Sequence, residues 1–338
     1  MSEDLYTFAV ETSCDDTSVA IMKNGTEIVG IKSRSQIPIH DKYGGVVPEI
    51  ASRNHVVDIN LLTEELFAQT NMSVNNVDFI SVTNSPGLIG SLLVGVSYAK
   101  SLAYAADKPL IAVNHLRGHI CANYITHRDL KPPFVALVVS GGHSNIVRVG
   151  GYTSYTLLGK STDDAAGEAY DKVSRFLNLG YPGGMKIQAL AEKGNPDAYK
   201  LPIAHTHTGE FDYSFSGIKS AVLNLVNSYR MKHLDIDIPD LCASFQKAVN
   251  TALISNLIAC CKKYSYKQIV LAGGVSANKN LRSLIQSAGN DIGAKVYYPD
   301  TALCGDNAAM IGCAGYFQYI AGDRADIYLN AYSHKNII

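Results

Sequence analysis

Twice along this chain a β-rich run breaks at a short polar loop and returns as a second strand, after which helices and strands alternate. That order predicts a duplicated α/β architecture in which each half builds its own sheet. In the first half, residues 5–10 read as a buried strand and 17–22 as its return. Asn24-Gly25 is a type I′ hairpin signal leading into a third strand over 26–32. Residues 46–69 space their apolar side chains helically, which predicts a helix with Ile50, Val57, Leu61, Leu62 and Leu66 in the core. Residues 77–83 form another strand, and Ser85-Pro86-Gly87 opens a helix over 88–106. A short strand over 110–113 precedes a helix that begins at His115. After Lys131-Pro132-Pro133 the pattern restarts, with a β-rich run over 134–139, a turn at Ser140-Gly141-Gly142 and a returning strand over 144–149. The proline pair sets the expected boundary: one lobe over 1–132 carries the histidines, and a second over 133–338 carries the Gly-rich loops and Asp306. A chain of 338 residues is long enough for two such cores.

Composition narrows the partners. With 47% hydrophobic and 17% charged residues the chain is ordinarily globular. Its formal net charge of −1 lacks the basic footprint of a protein that grips nucleic acid alone. An RNA substrate would therefore require a local basic patch or a partner to supply backbone affinity. The seven cysteines are odd in number and form no C-x-x-C pair, which fits free thiols in a reducing compartment. The acidic start Met1-Ser2-Glu3-Asp4 is unlike a signal peptide, and no apolar run approaches a membrane span. The expectation is a cytoplasmic protein without a membrane partner.

His115 and His119 stand four apart at the start of a helix, which puts both imidazoles on one face where they can share a metal. The same spacing also suits two ordinary, partly buried histidines. A zinc-protease H-E-x-x-H motif is excluded, because Leu116 occupies the position of the Glu base. Arg117 lies about 200° around the helix from His115 and points away from any metal. Asp306, after Gly305 and before an Ala-rich helix, is the candidate third ligand; a plain N-cap is the alternative. Three polar or Gly-rich loops follow strands: Glu11 to Thr17, Val139 to Ser144, and Leu271 to Asn278. Bare backbone in such loops suits an anion or a base, and none matches a P-loop or Rossmann fingerprint. Glu168 and Asp171 share a helical face, which a charged, solvated surface also explains.

Taken in order, these segments resemble the TsaD/Kae/Qri family, formerly called glycoprotease or O-sialoglycoprotein endopeptidase. The resemblance rests on Glu11-Thr12-Ser13-Cys14-Asp15-Asp16-Thr17, Gly44-Gly45-Val46-Val47-Pro48-Glu49, Ser85-Pro86-Gly87-Leu88, His115 to His119, and Val139-Ser140-Gly141-Gly142-His143. It continues through Asp164 to Lys172, Gly180-Tyr181-Pro182-Gly183-Gly184, Phe215-Ser216-Gly217-Ile218-Lys219, Ala272 to Asn278, and Gly305 to Met310. It implies the two-lobed fold of actin, Hsp70 and sugar kinases, with duplicated ribonuclease H-like lobes. The implied activity is transfer of threonylcarbamoyl from threonylcarbamoyl-AMP to N6 of the adenosine beside the anticodon (position 37) in tRNAs reading ANN codons. One divalent metal, iron or zinc, is implied on His115, His119 and Asp306. The adenylate donor is implied at Val138, Val139, Ser140, Gly141, Gly142, Asp171, Gly184 and Asn278. Implied partners are tRNA, a paralogous TsaB-like protein of the same fold and a small TsaE-like P-loop ATPase. Two departures stand out: Arg117, where many relatives carry an acid, and Met185, where Pro is common.

The corresponding mechanism is acyl transfer, with the metal polarising the donor as a Lewis acid. Glu11, Asp15 or Asp16 is the expected base, because in this fold the first loop faces the same cleft. The rivals are a metalloprotease, which Leu116 argues against, a small-molecule kinase on the same fold, and a non-catalytic scaffold, which retention of all three candidate ligands argues against.

Overall fold

The structure is a computed structural model and describes residues 4–203 and 208–337; Met1-Ser2-Glu3 of the acidic start lies outside the described residues. β1 (Tyr6–Glu11) pairs antiparallel with β2 (Asp16–Lys23), which pairs antiparallel with β3 (Glu27–Ser35). Asn24 and Gly25 both take positive φ, 50° and 71°, as a type I′ turn requires. After the short α1 (Ile37–His40) and the long α2 (Pro48–Thr70), β4 (Phe79–Ser85) joins the other side of β1 in parallel. α3 (Ile89–Ala105) then leads to β5 (Leu110–Asn114), parallel to β4, and directly into α4 (His115–Thr126). The sheet order is β3-β2-β1-β4-β5.

The second half repeats that order. β6 (Phe134–Val139), β7 (Ser144–Gly151) and β8 (Ser154–Lys160) are followed by α5 (Ala166–Phe176), α6 (Gly183–Ala191), α7 (Ser216–Met231) and α8 (Ile238–Tyr264). β9 (Gln268–Ala272), α9 (Lys279–Asp291), β10 (Lys295–Tyr297) and α10 (Ala308–Ile320) complete the chain of elements. The sheet runs β10-β9-β6-β7-β8, so each strand of the first sheet has its counterpart at the same place in the second. β1, β4 and β6 are buried almost throughout, which is why they read as continuous apolar runs and not as alternating ones.

The chain forms two compact units, Met1–Pro132 with Val149–Thr156 and Pro299–Ile338, and Pro133–Arg148 with Leu157–Tyr298, taken over the described residues. The C-terminal segment thus belongs with the first unit, and the expected single boundary that assigned Asp306 to a second lobe over 133–338 is corrected. The cause is α10, whose Ala308 to Gly315 are all buried. A Cβ on Gly312 would come within 2.6 Å of Met22 Cγ, and one on Gly118 of α4 within 2.7 Å of Ile311 Cδ1. The small residues of α10 let it lie close against this sheet and α4. The core of the unit unites Phe8, Val10, Ile21 and Val82 with Ile59, Leu62 and Leu66 of α2 and Leu92 and Val96 of α3. In the second unit Val135, Leu137, Ile269 and Leu271 pack with Tyr170, Phe245, Val249 and Leu253.

The inward face of α2 differs from the expected one at two positions. Leu62 and Leu66 are buried and Ile50 half-buried, but Val57 and Leu61 are 61% and 43% exposed. His55 and Asp58 take the inward positions because both find partners, Thr17 for the imidazole and Arg34 for the carboxylate. Apolar spacing alone does not anticipate a satisfied polar residue facing inward. Among the described residues no helix is long and apolar enough to cross a membrane, and none of the seven cysteines forms a disulfide.

Candidate active site and its metal-binding residues

The first unit builds the site from the carboxyl ends of its strands. β5 ends at Asn114, whose side chain accepts the amides of Leu116 (3.0 Å) and Arg117 (3.4 Å) and so caps α4. The cap sets His115 and, one turn on, His119 on the same face, with ring centroids 4.5 Å apart. Asp306 precedes α10 but does not cap it; Asn307 does, accepting the amide of Met310 at 3.0 Å. Ser18 Oγ of β2 accepts the Ala308 amide at 2.9 Å and pins the start of α10 to the sheet. Asp306 is thereby released to turn toward the histidines, with Oδ1 at 3.4 Å from His115 Nε2 and 3.3 Å from His119 Nε2.

The donor set fits a divalent transition metal. One ligand atom from each of the three residues lies within 4.8 Å of the others. His119 is buried with neither ring nitrogen in an aligned hydrogen bond, an expensive condition unless the ring serves as a ligand. Two imidazoles and one carboxylate suit iron or zinc better than magnesium or calcium.

Glu11 supports the arrangement from behind. It is wholly buried, its Oε2 accepts from Thr83 Oγ1 (2.6 Å) and faces His115 Nδ1 (3.1 Å), and its Oε1 accepts the Ser13 amide (2.5 Å). Ser13 Oγ also lies 3.0 Å from His115 Nδ1. A carboxylate on Nδ1 leaves Nε2 as the ligating nitrogen.

Electrostatics follow this geometry. Burial pushes His115 down, but Asp306 and Glu11 on either side outweigh it and hold the imidazole well above its usual value. Burial likewise opposes ionisation of Asp306 and Glu11, yet His115 draws both below the usual carboxylate range. His119, buried beside His115, is pushed down and stays in the neutral form that binds metals. Two carboxylates beside the paired imidazoles leave negative charge that a bound cation would balance. Nearby, burial with Asp306, Asp15 and Glu11 pushes Asp16 up to about 7, against a lowering hydrogen bond from Ser35.

The second unit presents three loops of bare backbone. Val138 and Val139, fully buried, end β6; Ser140, Gly141 and Gly142 follow. A Cβ on Gly141, Gly142 or Gly184 would meet nothing within 4 Å, so packing does not require glycine there and the backbone is open to a ligand. The loops are held from behind by α5. A Cβ on Gly167 would strike Ser140 O at 2.4 Å, Ser144 Oγ accepts the Ala166 amide at 2.9 Å, and Asp171 Oδ1 accepts the Gly183 amide at 2.7 Å. Asn278 uses its side chain twice, capping α9 through the Leu281 amide (2.9 Å) and donating to Gln246 Oε1 (2.8 Å).

A family model described as TsaD, tRNA N6-adenosine threonylcarbamoyltransferase, matches residues 27–313. The chain belongs to the TsaD family. It is 49% identical over 334 residues to the tRNA N6-adenosine threonylcarbamoyltransferase of Clostridioides difficile (strain 630), covering 99% of each chain. It is 51% identical over 323 residues to that of Clostridium perfringens (strain 13), covering 96% of this chain and 95% of the relative. Among solved structures, HypF of T. kodakarensis superposes with a TM-score of 0.64 at 16% identity, over 94% of this chain and 48% of HypF. The (R)-2-hydroxyglutaryl-CoA dehydratase component A of Acidaminococcus fermentans gives 0.55 at 17%, over 94% and 99%. These two likenesses concern the fold alone, and they agree with the duplicated α/β architecture.

Within this TsaD-family chain the structure brings Glu11, Asp15, Asp16, His115, His119 and Asp306 into the first unit. Arg117 points away from the histidines, as helical geometry requires. Its Nε donates to Ile337 O at 2.9 Å and its guanidinium lies over Tyr155 at 4.9 Å. Glu168 and Asp171 serve different partners, Glu168 pairing with Lys172 at 2.8 Å. Met185 is 68% exposed. Sequence reasoning did not find Thr83 and Ser13 as partners of the Glu11–His115 pair. Thr83 had no signal beyond its place at a strand end, and Ser13 was one hydroxyl among several.

Proposed function

We propose that this chain transfers a threonylcarbamoyl group from threonylcarbamoyl-AMP to N6 of the adenosine at position 37 in tRNAs reading ANN codons. The observation that carries the reading is the convergence of His115, His119 and Asp306, with neither His119 ring nitrogen in an aligned hydrogen bond, in a chain of the TsaD family. One divalent ion on those residues, iron or zinc, supplies Lewis acidity when bound.

The remaining work falls to side chains and backbone of this chain. In the second unit Gly141, Gly142 and Gly184 offer open backbone to the adenylate, Val138, Val139 and Ser140 lead the strand end up to it, and the Asp171 carboxylate and the tip at Asn278 bound the same ligand. In the first unit the acid loop takes up the proton. The N6 amine attacks the carbamoyl carbon, the new N–C bond forms, and the C–O bond to phosphate breaks with its electron pair leaving on AMP. The amine proton passes to Asp16, which is pushed up to about 7 and has Oδ1 without a partner among the described residues. Asp15 lies beside it. Glu11 has both oxygens engaged, so its part is to orient His115.

tRNA is the acceptor, and a TsaB-like paralogue and a TsaE-like ATPase are the expected partners. The net charge of −1 supports shared RNA binding. An exposed apolar face on α2 and α3, with Val56, Val57, Leu61, Ile89 and Leu93, supports a protein partner on the first unit. The setting of this reaction is the cytoplasm.

The test uses the full chain with both partner proteins, threonylcarbamoyl-AMP and a tRNA transcript, followed by nucleoside digestion and mass analysis. The reading predicts a threonylcarbamoyl adduct on adenosine that vanishes when position 37 is guanosine. An unmodified transcript, or an adduct independent of position 37, overturns it.

A further inference from the structure

His55 is fully buried on α2 and takes no part in the chemistry above. Its Nε2 lies 2.9 Å from the Cys14 carbonyl and its Nδ1 lies 2.7 Å from Thr17 Oγ1. A carbonyl only accepts, so Nε2 carries the proton and donates, leaving Nδ1 to accept from the Thr17 hydroxyl. Burial pushes the ring's pKa down, which favours this neutral form. Its two partners flank Asp15 and Asp16 on either side. A leucine would fill the same volume, whereas an imidazole here desolvates two polar atoms and is tolerated because both are satisfied.

The rest of the loop is held with equal care. Ser13 O accepts the Leu88 amide at 2.8 Å, Thr12 Oγ1 donates to Ser91 O at 2.9 Å, and Asp15 O accepts the Gln36 amide at 3.0 Å. Gln36 in turn donates to Ala51 O at 3.2 Å, one turn before His55 on α2. α2 therefore holds the loop at two places. The Cys14 carbonyl and the Thr17 hydroxyl are tied directly to α2, and the Asp15 carbonyl is tied to it through Gln36, so the place of the Asp15–Asp16 turn follows from the position of this helix.

We propose that His55 is a positioning residue that brackets the Asp15–Asp16 turn and aims its carboxylates for proton transfer. The proposal rests on the acid-loop reading given above. Its logic is that a displacement of about 1 Å at a proton acceptor can cost on the order of a hundredfold in rate while leaving substrate binding alone.

The experiment compares His55→Leu, which loses both bonds, with His55→Gln, whose amide reaches the Cys14 carbonyl, and Thr17→Val, which deletes one hydroxyl without changing shape. Each is measured in the full chain with its partners for metal content, melting temperature, kcat, and KM for tRNA and donor. The proposal expects His55→Leu to lower kcat by about tenfold to a hundredfold with metal content and KM unchanged, and His55→Gln to restore most of it. Thr17→Val is expected to give a smaller fall of the same kind, and it keeps the test alive if His55→Leu does not fold. Wild-type kcat in His55→Leu overturns the proposal, as does a loss in His55→Leu and His55→Gln alike that tracks metal content or melting temperature. Asp15→Asn and Asp16→Asn, run alongside, separate the two ideas. If both transfer at the wild-type rate, the acid-loop reading falls and takes the proposal with it; if they are slow while His55→Leu is normal, only the bracket falls.

Discussion

Replacing Glu11 by Gln probes the metal centre with the least change in shape. Glu11 offers one oxygen to the Ser13 amide and the other to Thr83 Oγ1 and His115 Nδ1, all without access to water. Glutamine keeps one oxygen and turns the other into a two-proton donor. If its NH2 faces Ser13, two N–H groups oppose each other. If it faces His115, the Thr83 hydroxyl can rotate to accept, but the Nδ1 proton loses its acceptor. The ring can escape by moving its proton to Nε2, the nitrogen that faces Asp306 and is needed for the metal. A buried donor left unpaired costs about 1–3 kcal/mol. Loss of a carboxylate behind a ligating histidine weakens metal binding about tenfold to a hundredfold, or about 1.4–2.8 kcal/mol. Ser13 Oγ, 3.0 Å from the same nitrogen, offers a partial substitute, so Glu11→Gln with Ser13→Ala is expected to lose more than Glu11→Gln alone. The assay is chelator competition against metal-loaded protein. Affinity of Glu11→Gln within about twofold of wild type, a tenfold step being 1.4 kcal/mol, refutes the argument that Glu11 orients His115.

The transfer rate of the wild type is expected to rise with pH through about 7 as Asp16 ionises, and Asp16→Asn to be slow and flat; identical profiles would exclude Asp16 as the base. In metal-stripped protein the stability sign is fixed by the same shift. Unfolded Asp16 ionises near 3.8 and folded Asp16 near 7, so its contribution is lost as pH climbs between them. Asp16→Asn should therefore match wild type near pH 4 and exceed it by ~1–3 kcal/mol near pH 8 in denaturant titrations. Gly142→Ala, where a Cβ meets open space, should leave stability within about 0.5 kcal/mol yet weaken AMP binding by calorimetry; unchanged AMP affinity would remove that loop from the ligand site. Gly315→Val should destabilise by ~1–3 kcal/mol, because even its Cβ would lie 2.0 Å from Ser81 Oγ; an unchanged denaturation midpoint would mean α10 packs more loosely than described.

Much of this was legible in the sequence, and the exceptions share a cause. Strand-loop-strand order anticipated both sheets, because central strands buried on two faces read as unbroken apolar runs. His115 and His119 were legible because a helix converts a spacing of four into one face. Asp306 was legible as a candidate ligand, but not its membership of the first unit, since that depends on which surface α10 covers. The inward face of α2 departs from apolar spacing at Val57 and Leu61 because His55 and Asp58 are satisfied by partners in other elements. Glu11 is a candidate base from its loop, whereas its contacts with Thr83, Ser13 and His115 join elements that no local spacing relates. Periodicity reports what one element needs; it carries no information about which distant side chain completes a hydrogen bond.

His115, His119 and Asp306 act as one centre in the proposed reaction. The most direct test is the metal content, by elemental analysis, of chelator-free wild type beside a His115→Ala, His119→Ala double variant. The expected result is about one iron or zinc per chain in the wild type and none in the variant, whose site keeps only one of its ligands. Equal metal in both proteins, or none in either, would contradict it.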